Sequence, residues 1–276
     1  MPPKVPYYTE NQVRSVSLPN HGGRYAVVPH GDVIDNVKNE LTAAGFSIKN
    51  VYYKLSNEGN IAQGVYHLDY GNDPDMGMMF AWSNSYNKTM RFKCGIGAHV
   101  FVCMNGVLRG DMGSYSRKHS GTALQDVVGQ IKNQVHAARE HYDRLLQDKA
   151  TLKNVMLTPR EKGRILGELF AQDEILTLTQ VGIVKREMDK PSHTYNCHTD
   201  SAWAMYNHIT FALRESHPST YMTDHEKLHD YFVKYNVVIT PVQTVQTSGS
   251  DFDIDKQVVE ESLEAMEQSI LGVNFL

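Results

Sequence analysis

The amino-acid sequence predicts an α+β protein in which an antiparallel β-meander sheet packs against a long central helix, followed by a helical C-terminal half. Three patterns predict this class. Alternating or continuous apolar segments separated by turn residues fill residues 47–104. An apolar stripe in steps of four and three then runs from Leu124 to Leu145. Amphipathic segments with helix-capping signals follow the stripe.

The first quarter of the chain predicts an arm, a helix and a hairpin. Residues 1–20 are rich in proline and polar side chains, so we expect an extended arm. A helix with one apolar face is expected to begin at His30 and to end at Gly45, because glycine favours helix C-termini. Segments 47–55 and 61–70 flank a loop with Asn and Gly, which is typical of a hairpin.

The central strands come next. Residues 78–84 are apolar and aromatic, and a polar turn separates them from an alternating strand at 89–94. We expect Gly95 and Gly97 to break the chain as a connection between strands. A short apolar strand is then predicted at 99–104.

The C-terminal half is predicted to be helical. A capping box at Thr158 begins one helix, further helices are expected over 173–185 and 201–215, and a capping box at Thr223 opens a helix through Tyr235. The apolar positions of the preceding long helix are Leu124, Val128, Ile131, Val135, Ala138, Tyr142 and Leu145. Because this stripe exceeds what packing on one sheet edge needs, we expect a homo-oligomer.

These elements predict one α+β domain over residues 21–247. It is sheet-rich over 21–108 and helical over 120–236, and 1–20 is its N-terminal arm. Residues 248–276 carry seven acidic side chains and one lysine, so we expect an acidic tail or helix.

Composition limits the location of the protein. No run of about 18 apolar residues exists, so no membrane span is expected. The N-terminus lacks the apolar core of a signal peptide, and three cysteines cannot all pair. We therefore expect a cytoplasmic protein with reduced thiols.

Charge is unevenly distributed along the chain. The formal net charge is −4, but residues 85–164 contain fourteen Lys or Arg and six Asp or Glu, a balance of +8. The remaining residues therefore carry −12. A basic segment in an acidic protein favours an anion-binding face, and the alternative interpretation is a solvated helix face.

The sequence offers no strong catalytic or metal-binding motif. His99 and Cys103 point the same way on a strand but lie about 13 Å apart, too far for a nucleophilic pair. His193, Cys197 and His198 cluster without zinc-site spacing, and we interpret them as surface or capping residues. No phosphate-binding glycine loop is present. We predict no catalytic residue, metal or cofactor.

Basic and aromatic side chains indicate a nucleic-acid interface instead. Lysine and arginine neutralise phosphates, and aromatic rings stack on exposed bases. Arg91 and Lys93 are expected on one strand face beside Phe92. The candidate phosphate contacts are Lys88, Arg91, Lys93, Arg109, Arg117, Lys118 and His119, and the candidate stacking rings are Tyr86, Phe92 and Tyr115.

Four segments carry a family resemblance: FAWSNSYNKTMRF, VCMNGVLRGDM, SYSRKHSG and SAWAMYNHIT. In their order, the chain resembles the phage/plasmid-like family classified as domain of unknown function 932, over about residues 20–235. The resemblance rests on Ser83, Asn84, Ser85, Arg91, Cys103, Asn105, Gly106, Arg117, His119, Trp203 and Asn207. It implies a gene of a phage, plasmid or other mobile element, and no established activity.

Several of these motif residues are interpreted as structural. Cys103 is expected in the core, and Asn105 and Asn207 are expected to satisfy backbone groups in buried turns. At the level of the fold, a meander followed by a long helix also resembles the single-strand annealing proteins of phage recombination.

These observations favour a non-enzymatic nucleic-acid-binding protein, with single-stranded DNA as its partner, in replication or recombination. One alternative is a nucleotide- or nucleic-acid-processing enzyme using the Cys103–Asn105 turn, His119 and Arg91. Another is an inhibitor of host defence that binds a host or phage protein through its acidic end.

Overall fold

A computed structural model of the protein describes residues 7–20, 26–56, 58–101, 106–108 and 123–234, which contain five strands and eight helices. The strands are β1 (Ile48–Leu55), β2 (Ile61–Leu68), β3 (Met76–Ser85), β4 (Lys93–Val100) and β5 (Gly106–Leu108). The helices are α1 (Glu10–Arg14), α2 (His30–Ala43), α3 (Ala123–His136), α4 (Ala138–Asn154), α5 (Pro159–Ala171), α6 (Leu178–Asp189), α7 (Ala202–Leu213) and α8 (Tyr221–Lys234). The α+β class is therefore confirmed.

The five strands form one antiparallel sheet in the order β1-β2-β3-β4-β5, which confirms the meander. Every residue of β3 is buried, so the sheet is covered on both faces at its centre. One face, the apolar face, carries side chains such as Tyr66, Phe80, Trp82 and Ile96. α2 packs on it, because the His30 ring lies 6.5 Å from the Trp82 ring.

The other face, here called the polar face, carries small and polar side chains. It includes Lys54, Gln63, Ser83 and Lys93, which alternate along their strands with the apolar residues. α8 packs against β5 and β3. The sheet therefore has the apolar core on one side and a polar layer on the other.

The predicted break at Gly95 and Gly97 is wrong, because both residues lie inside β4. A Cβ atom on Gly97 would lie 2.4 Å from the Val107 carbonyl oxygen. The glycine therefore allows β5 to approach β4. The parts of the two predicted strands at 93–94 and 99–100 belong to one strand, β4, which begins only at Lys93 and ends at Val100. Residues 102–104 lie outside the described residues.

The predicted long helix is divided at Ala137, whose φ and ψ are −84° and 1°. Both parts, α3 and α4, pack against β4. Five of the seven stripe residues are buried within the chain, namely Ile131, Val135, Ala138, Tyr142 and Leu145. The stripe thus packs within the chain and no longer supports an oligomer. The homo-oligomeric state stays a prediction.

Helix starts were predicted with mixed success. The capping box at Thr158 is confirmed, with the Thr158 hydroxyl accepting from the Glu161 N–H. The box at Thr223 is wrong, because α8 begins at Tyr221 and Thr223 lies inside its first turn. α6 begins later than predicted, after a Thr177 capping box that the sequence analysis missed.

The N-terminal arm is not extended from Tyr7 onward. α1 has a capping box at Thr9, and Val13 is fully buried. The Tyr8 N–H donates to the Tyr53 carbonyl at 3.0 Å, which joins the arm to the edge of β1.

The acidic segment 248–276 lies outside the described residues, and the domain boundaries stay predictions. Within the ranges described here, no helix is long and apolar enough to cross a membrane.

The close contact at Gly97 yields a stability prediction. Gly97→Ala should lower the free energy of unfolding by about 1–3 kcal/mol, because the new methyl group would collide with backbone rather than with a flexible side chain. Urea titration measures this change.

Gly163→Ala in α5 is the matched control for that variant. A Cβ atom there meets nothing within 4 Å, so the free energy of unfolding should rise by up to about 1 kcal/mol. A Gly97→Ala protein as stable as wild type would contradict the account of β5 packing.

Candidate functional site

Four polar side chains form one row across the polar face. Lys54 of β1 pairs with Gln63 of β2, Gln63 pairs with Ser83 of β3, and Ser83 pairs with Lys93 of β4. We call Lys54, Gln63, Ser83 and Lys93 the polar row. Directly paired residues of antiparallel strands point to the same face, so the row lies on one side of the sheet.

Two members of the polar row bond to the segment that connects α7 to α8, and a third bonds to the first turn of α8. Lys54 Nζ donates to the Arg214 carbonyl at 2.8 Å, and Ser83 Oγ donates to the Pro218 carbonyl at 3.2 Å. Lys93 Nζ donates to Thr223 Oγ1 at 2.6 Å. The row thus attaches a segment more than a hundred residues away in sequence.

A cavity of about 230 Å³ lies at the β1–β2 side of the polar face. Its lining residues are Tyr7, Tyr52, Lys54, Gln63, Val65, His67, Arg214 and Tyr221. Two of these side chains are basic, three are tyrosines, and none is acidic. The Tyr52 ring lies 5.4 Å from the Tyr7 ring and 5.0 Å from the His67 ring, which makes an aromatic wall.

Gln63 is 1% exposed, and neither its Nε2 nor its Oε1 has a hydrogen-bond partner among the described residues. Leaving a buried polar group without a partner costs about 1–3 kcal/mol. Gln63 therefore differs from the other three members of the polar row, which bond to the α7–α8 connection or to the first turn of α8.

Two buried histidines extend this polar layer, and one of them, His67, lines the cavity. His67 of β2 and His99 of β4 stack with ring centres 3.7 Å apart and planes at 10°. They meet above β3 because Gly77 has no side chain, and a Cβ atom there would lie 2.7 Å from His99 Nε2. Burial lowers the pKa of His67 to about 4 and that of His99 to about 3. Both rings are therefore neutral at pH 7.

Lys54 is the buried cation of the cavity. Burial lowers its pKa to about 8, an effect that the Glu215 carboxylate opposes and Arg214 adds to. Its ammonium group also lies 5.3 Å from the centre of the Tyr221 ring, a cation–π distance. At pH 7 the cavity therefore combines positive charge with aromatic surface.

The structure changes the set of predicted nucleic-acid contacts. Tyr86 and Phe92 are 2% and 1% exposed, so the prediction that they stack on bases is wrong. Tyr86 instead stacks on His30 with ring centres 3.7 Å apart and accepts a 2.7 Å hydrogen bond from the His30 N–H. Tyr86 lies beside a turn and was mistaken for a surface residue, because its partner His30 lies 56 residues earlier.

The basic candidates are divided between two environments. Lys88 and Arg91 are exposed, in the connection between β3 and β4. Arg91 precedes β4, so it does not share a strand face with Lys93 as predicted. Lys93 is held by Thr223, with Glu226 3.9 Å away, so its side chain anchors α8. Arg109, Tyr115, Arg117, Lys118 and His119 lie outside the described residues.

The described motif residues serve the fold. Asn84 Nδ2 donates to the Val28 carbonyl at 2.8 Å, next to His30, and Gly106 leaves room for the Tyr221 hydroxyl. The Trp203 ring stacks on Tyr206. Asn207 Nδ2 donates to the Trp203 carbonyl inside α7, not in a buried turn as predicted. Cys103 and Asn105 lie outside the described residues, whereas Ser83 belongs to the polar row.

Within the described ranges, no group of three or more His, Cys, Asp or Glu side chains is placed to hold a metal ion. His193 and Cys197 line a separate cavity of about 220 Å³ together with His208. His229 Nε2 lies 3.1 Å from an oxygen of Asp148, and His225 packs on the Tyr221 ring. These histidines are therefore dispersed among different contacts.

Sequence reasoning missed Gln63 and His67. Both lie in the segment correctly predicted as the second strand of the hairpin, and both occupy odd positions that share one strand face. That alternation was the available signal, but it could not show that the α7–α8 connection and α8 cover the face.

Fold and site define an α+β protein with a ligand-sized cavity on the polar face of an antiparallel sheet. The chain belongs to the family described as Domain of unknown function (DUF932), which matches residues 18–229. This confirms the family predicted from the sequence motifs. No curated protein and no solved structure matches the chain.

The stacked histidines yield a pH prediction. Their pKa values are lower in the folded protein than the usual value near 6.5, so unfolding takes up protons as the pH falls below about 6.5. The free energy of unfolding therefore carries no penalty from these histidines above pH 6.5, and it decreases as the pH falls toward 3–4. His99→Phe keeps a flat ring, and its unfolding should take up about one proton fewer between pH 6 and 4.

Urea titrations at several pH values measure this proton uptake. His136→Phe on α3 is the control for the exchange of histidine for phenylalanine, because His136 is exposed and lies outside the stacked pair. A His99→Phe protein with the wild-type slope would show that His99 is not a buried neutral base.

Proposed function

We propose that the protein binds single-stranded nucleic acid through the cavity on its polar face. The observation that carries this proposal is the cavity lining. Among the described residues it consists of Lys54 and Arg214 with three tyrosines, no acidic side chain, and an amide for which these residues offer no partner. Phosphates require cations and unstacked bases require aromatic surface. A cavity of about 230 Å³ that offers both suits one nucleotide unit of a single strand.

The exposed basic residues extend this proposed surface. In the meander, the β1–β2 and β3–β4 connections lie at the same end of the sheet, and the Tyr86 N–H donates to the Asn60 carbonyl at 2.7 Å across them. Lys88 and Arg91 therefore lie at the sheet end to which Lys54 belongs. We propose that they contact phosphates of the same strand, whereas the buried Tyr86 and Phe92 do not take part.

The biological setting remains part of this proposal. A phage, plasmid or mobile-element origin, a homo-oligomeric state, a cytoplasmic location and a role in replication or recombination are expectations from the sequence. An aromatic and basic site suits protection or annealing of single strands, which needs binding but no bond cleavage.

An enzyme acting on a nucleotide is the second candidate, favoured by Lys54. A buried amine whose pKa is lowered to about 8 can exchange a proton near neutral pH, and such groups cluster at active sites. Incubation with nucleotides and oligonucleotides, followed by chromatography, separates the candidates. A product formed by wild type and absent with Lys54→Met would favour the enzyme.

The binding proposal is tested with labelled single-stranded oligonucleotides between about 50 and 200 mM salt. Lys54→Met should weaken binding and reduce the salt slope by about 0.7, the effect of losing one phosphate contact on a single strand. Tyr52→Leu should weaken binding by on the order of 1–3 kcal/mol and leave the slope unchanged, because stacking is not ionic. Fluorescence anisotropy gives both quantities.

Lys185→Met is the matched control, an exposed lysine on α6 that does not line the cavity. It should bind like wild type, and urea titration should show that each variant remains folded. Wild-type affinity in both Lys54→Met and Tyr52→Leu would exclude this cavity as the binding site. No detectable binding by wild type at low salt would reject the proposed function.

A further inference from the structure

Gln63 is the one member of the polar row whose side chain makes no hydrogen bond to the described residues. Its neighbours Lys54 and Ser83 donate to the Arg214 and Pro218 carbonyls, and the amide bonds to neither of them. A central strand position favours β-branched or aromatic residues, so an amide here stabilises neither the strand nor its packing. A buried amide at this cost requires a partner that is not part of the described chain.

The chemistry of the partner follows from the amide. Nε2 is a donor and Oε1 an acceptor, side by side and in one plane, so the complementary ligand presents an adjacent acceptor and donor. Adenine has this arrangement at N7 and N6–H₂, the edge with which glutamine pairs in a bidentate way in protein–DNA complexes. On the corresponding edge guanine presents two acceptors, cytosine one donor and thymine one acceptor, so adenine alone matches both groups of the amide there. His67 Nδ1, also without a partner among the described residues, adds a second polar group in the cavity wall.

The cavity size agrees with a single base. Its volume of about 230 Å³ is below the range of roughly 300–1,000 Å³ that is typical of sites for drug-sized ligands. Tyr7 and Tyr52 supply flat surfaces beside it, and Tyr7 is 62% exposed, so its side chain is the lining group with most room to move on entry. Lys54 and Arg214 line the same cavity and suit the attached phosphate.

We infer that Gln63 reads the edge of one unstacked base, and that the cavity therefore selects adenine among the bases of a bound single strand. This inference rests on the proposed function and goes beyond it, because phosphate contacts and stacking carry no base preference. Gln63 is assigned as the specificity-determining residue, and Lys54, Arg214 and the tyrosines supply affinity.

The test compares the affinities of oligo(dA), oligo(dC) and oligo(dT) for wild type and for Gln63→Leu. Wild type should prefer oligo(dA) by at least about fivefold, the lower end of what a bidentate base contact supplies. Gln63→Leu should bind all three with similar affinity and an unchanged salt dependence. It should also be at least as stable as wild type to urea, because it removes two unpartnered polar atoms.

Ser83→Ala is the matched control from the same row. It loses the hydrogen bond to the Pro218 carbonyl, so it should be less stable than wild type and yet keep the preference for oligo(dA). A base preference that survives Gln63→Leu would overturn the inference. A preference for another base that Gln63→Leu abolishes would support base reading and overturn the choice of adenine.

The failure of this inference is distinguishable from that of the proposed function. If wild type binds all three oligonucleotides equally, the binding proposal stands and the base-reading inference fails, with Gln63 served by water alone. If wild type binds none of them at low salt, both fail.

Discussion

The covering of the polar face depends on three hydrogen bonds that attach the α7–α8 connection and the first turn of α8 to one row of the sheet. Lys54, Ser83 and Lys93 each donate to a group between Arg214 and Thr223. They can do so because the register of β1, β3 and β4 brings them into line on one face. A one-residue slip of a strand would turn its member of the row toward the apolar face. Register therefore determines both the covering of the sheet and the cavity.

The two faces of the sheet divide structural and functional demands. The apolar face carries the main packing, with Trp82 and Phe80 fully buried. The polar face is also largely buried, yet it contains Gln63 and two stacked neutral histidines. Packing alone would be served by apolar side chains at these positions. Polar groups without partners are costly in a protein interior, so their concentration beside one cavity is the main reason for placing function there.

Local patterns predicted what local interactions determine. The hairpin, α2 and the Thr158 capping box depend on neighbours within a few residues, and the sequence indicated all three. The sequence could not show that Tyr86 is buried. Strand alternation indicates which face of the sheet a side chain lies on, but it does not indicate which other elements cover that face. Gly97 was interpreted as a break, although its missing side chain serves contact with β5. The site was missed for the same reason. Gln63 is buried beside a cavity only because a segment distant in sequence covers this part of the sheet.

The long sequence separation of these attachments has a consequence for the nascent chain. The meander needs only residues up to Leu108, and its hairpins are local contacts that form early and fast. The bonds of Lys54 and Ser83 span 160 and 135 residues. During synthesis the polar face therefore stays uncovered until α7 and the start of α8 leave the ribosome, and the chain acquires its cavity as one of the last events of folding.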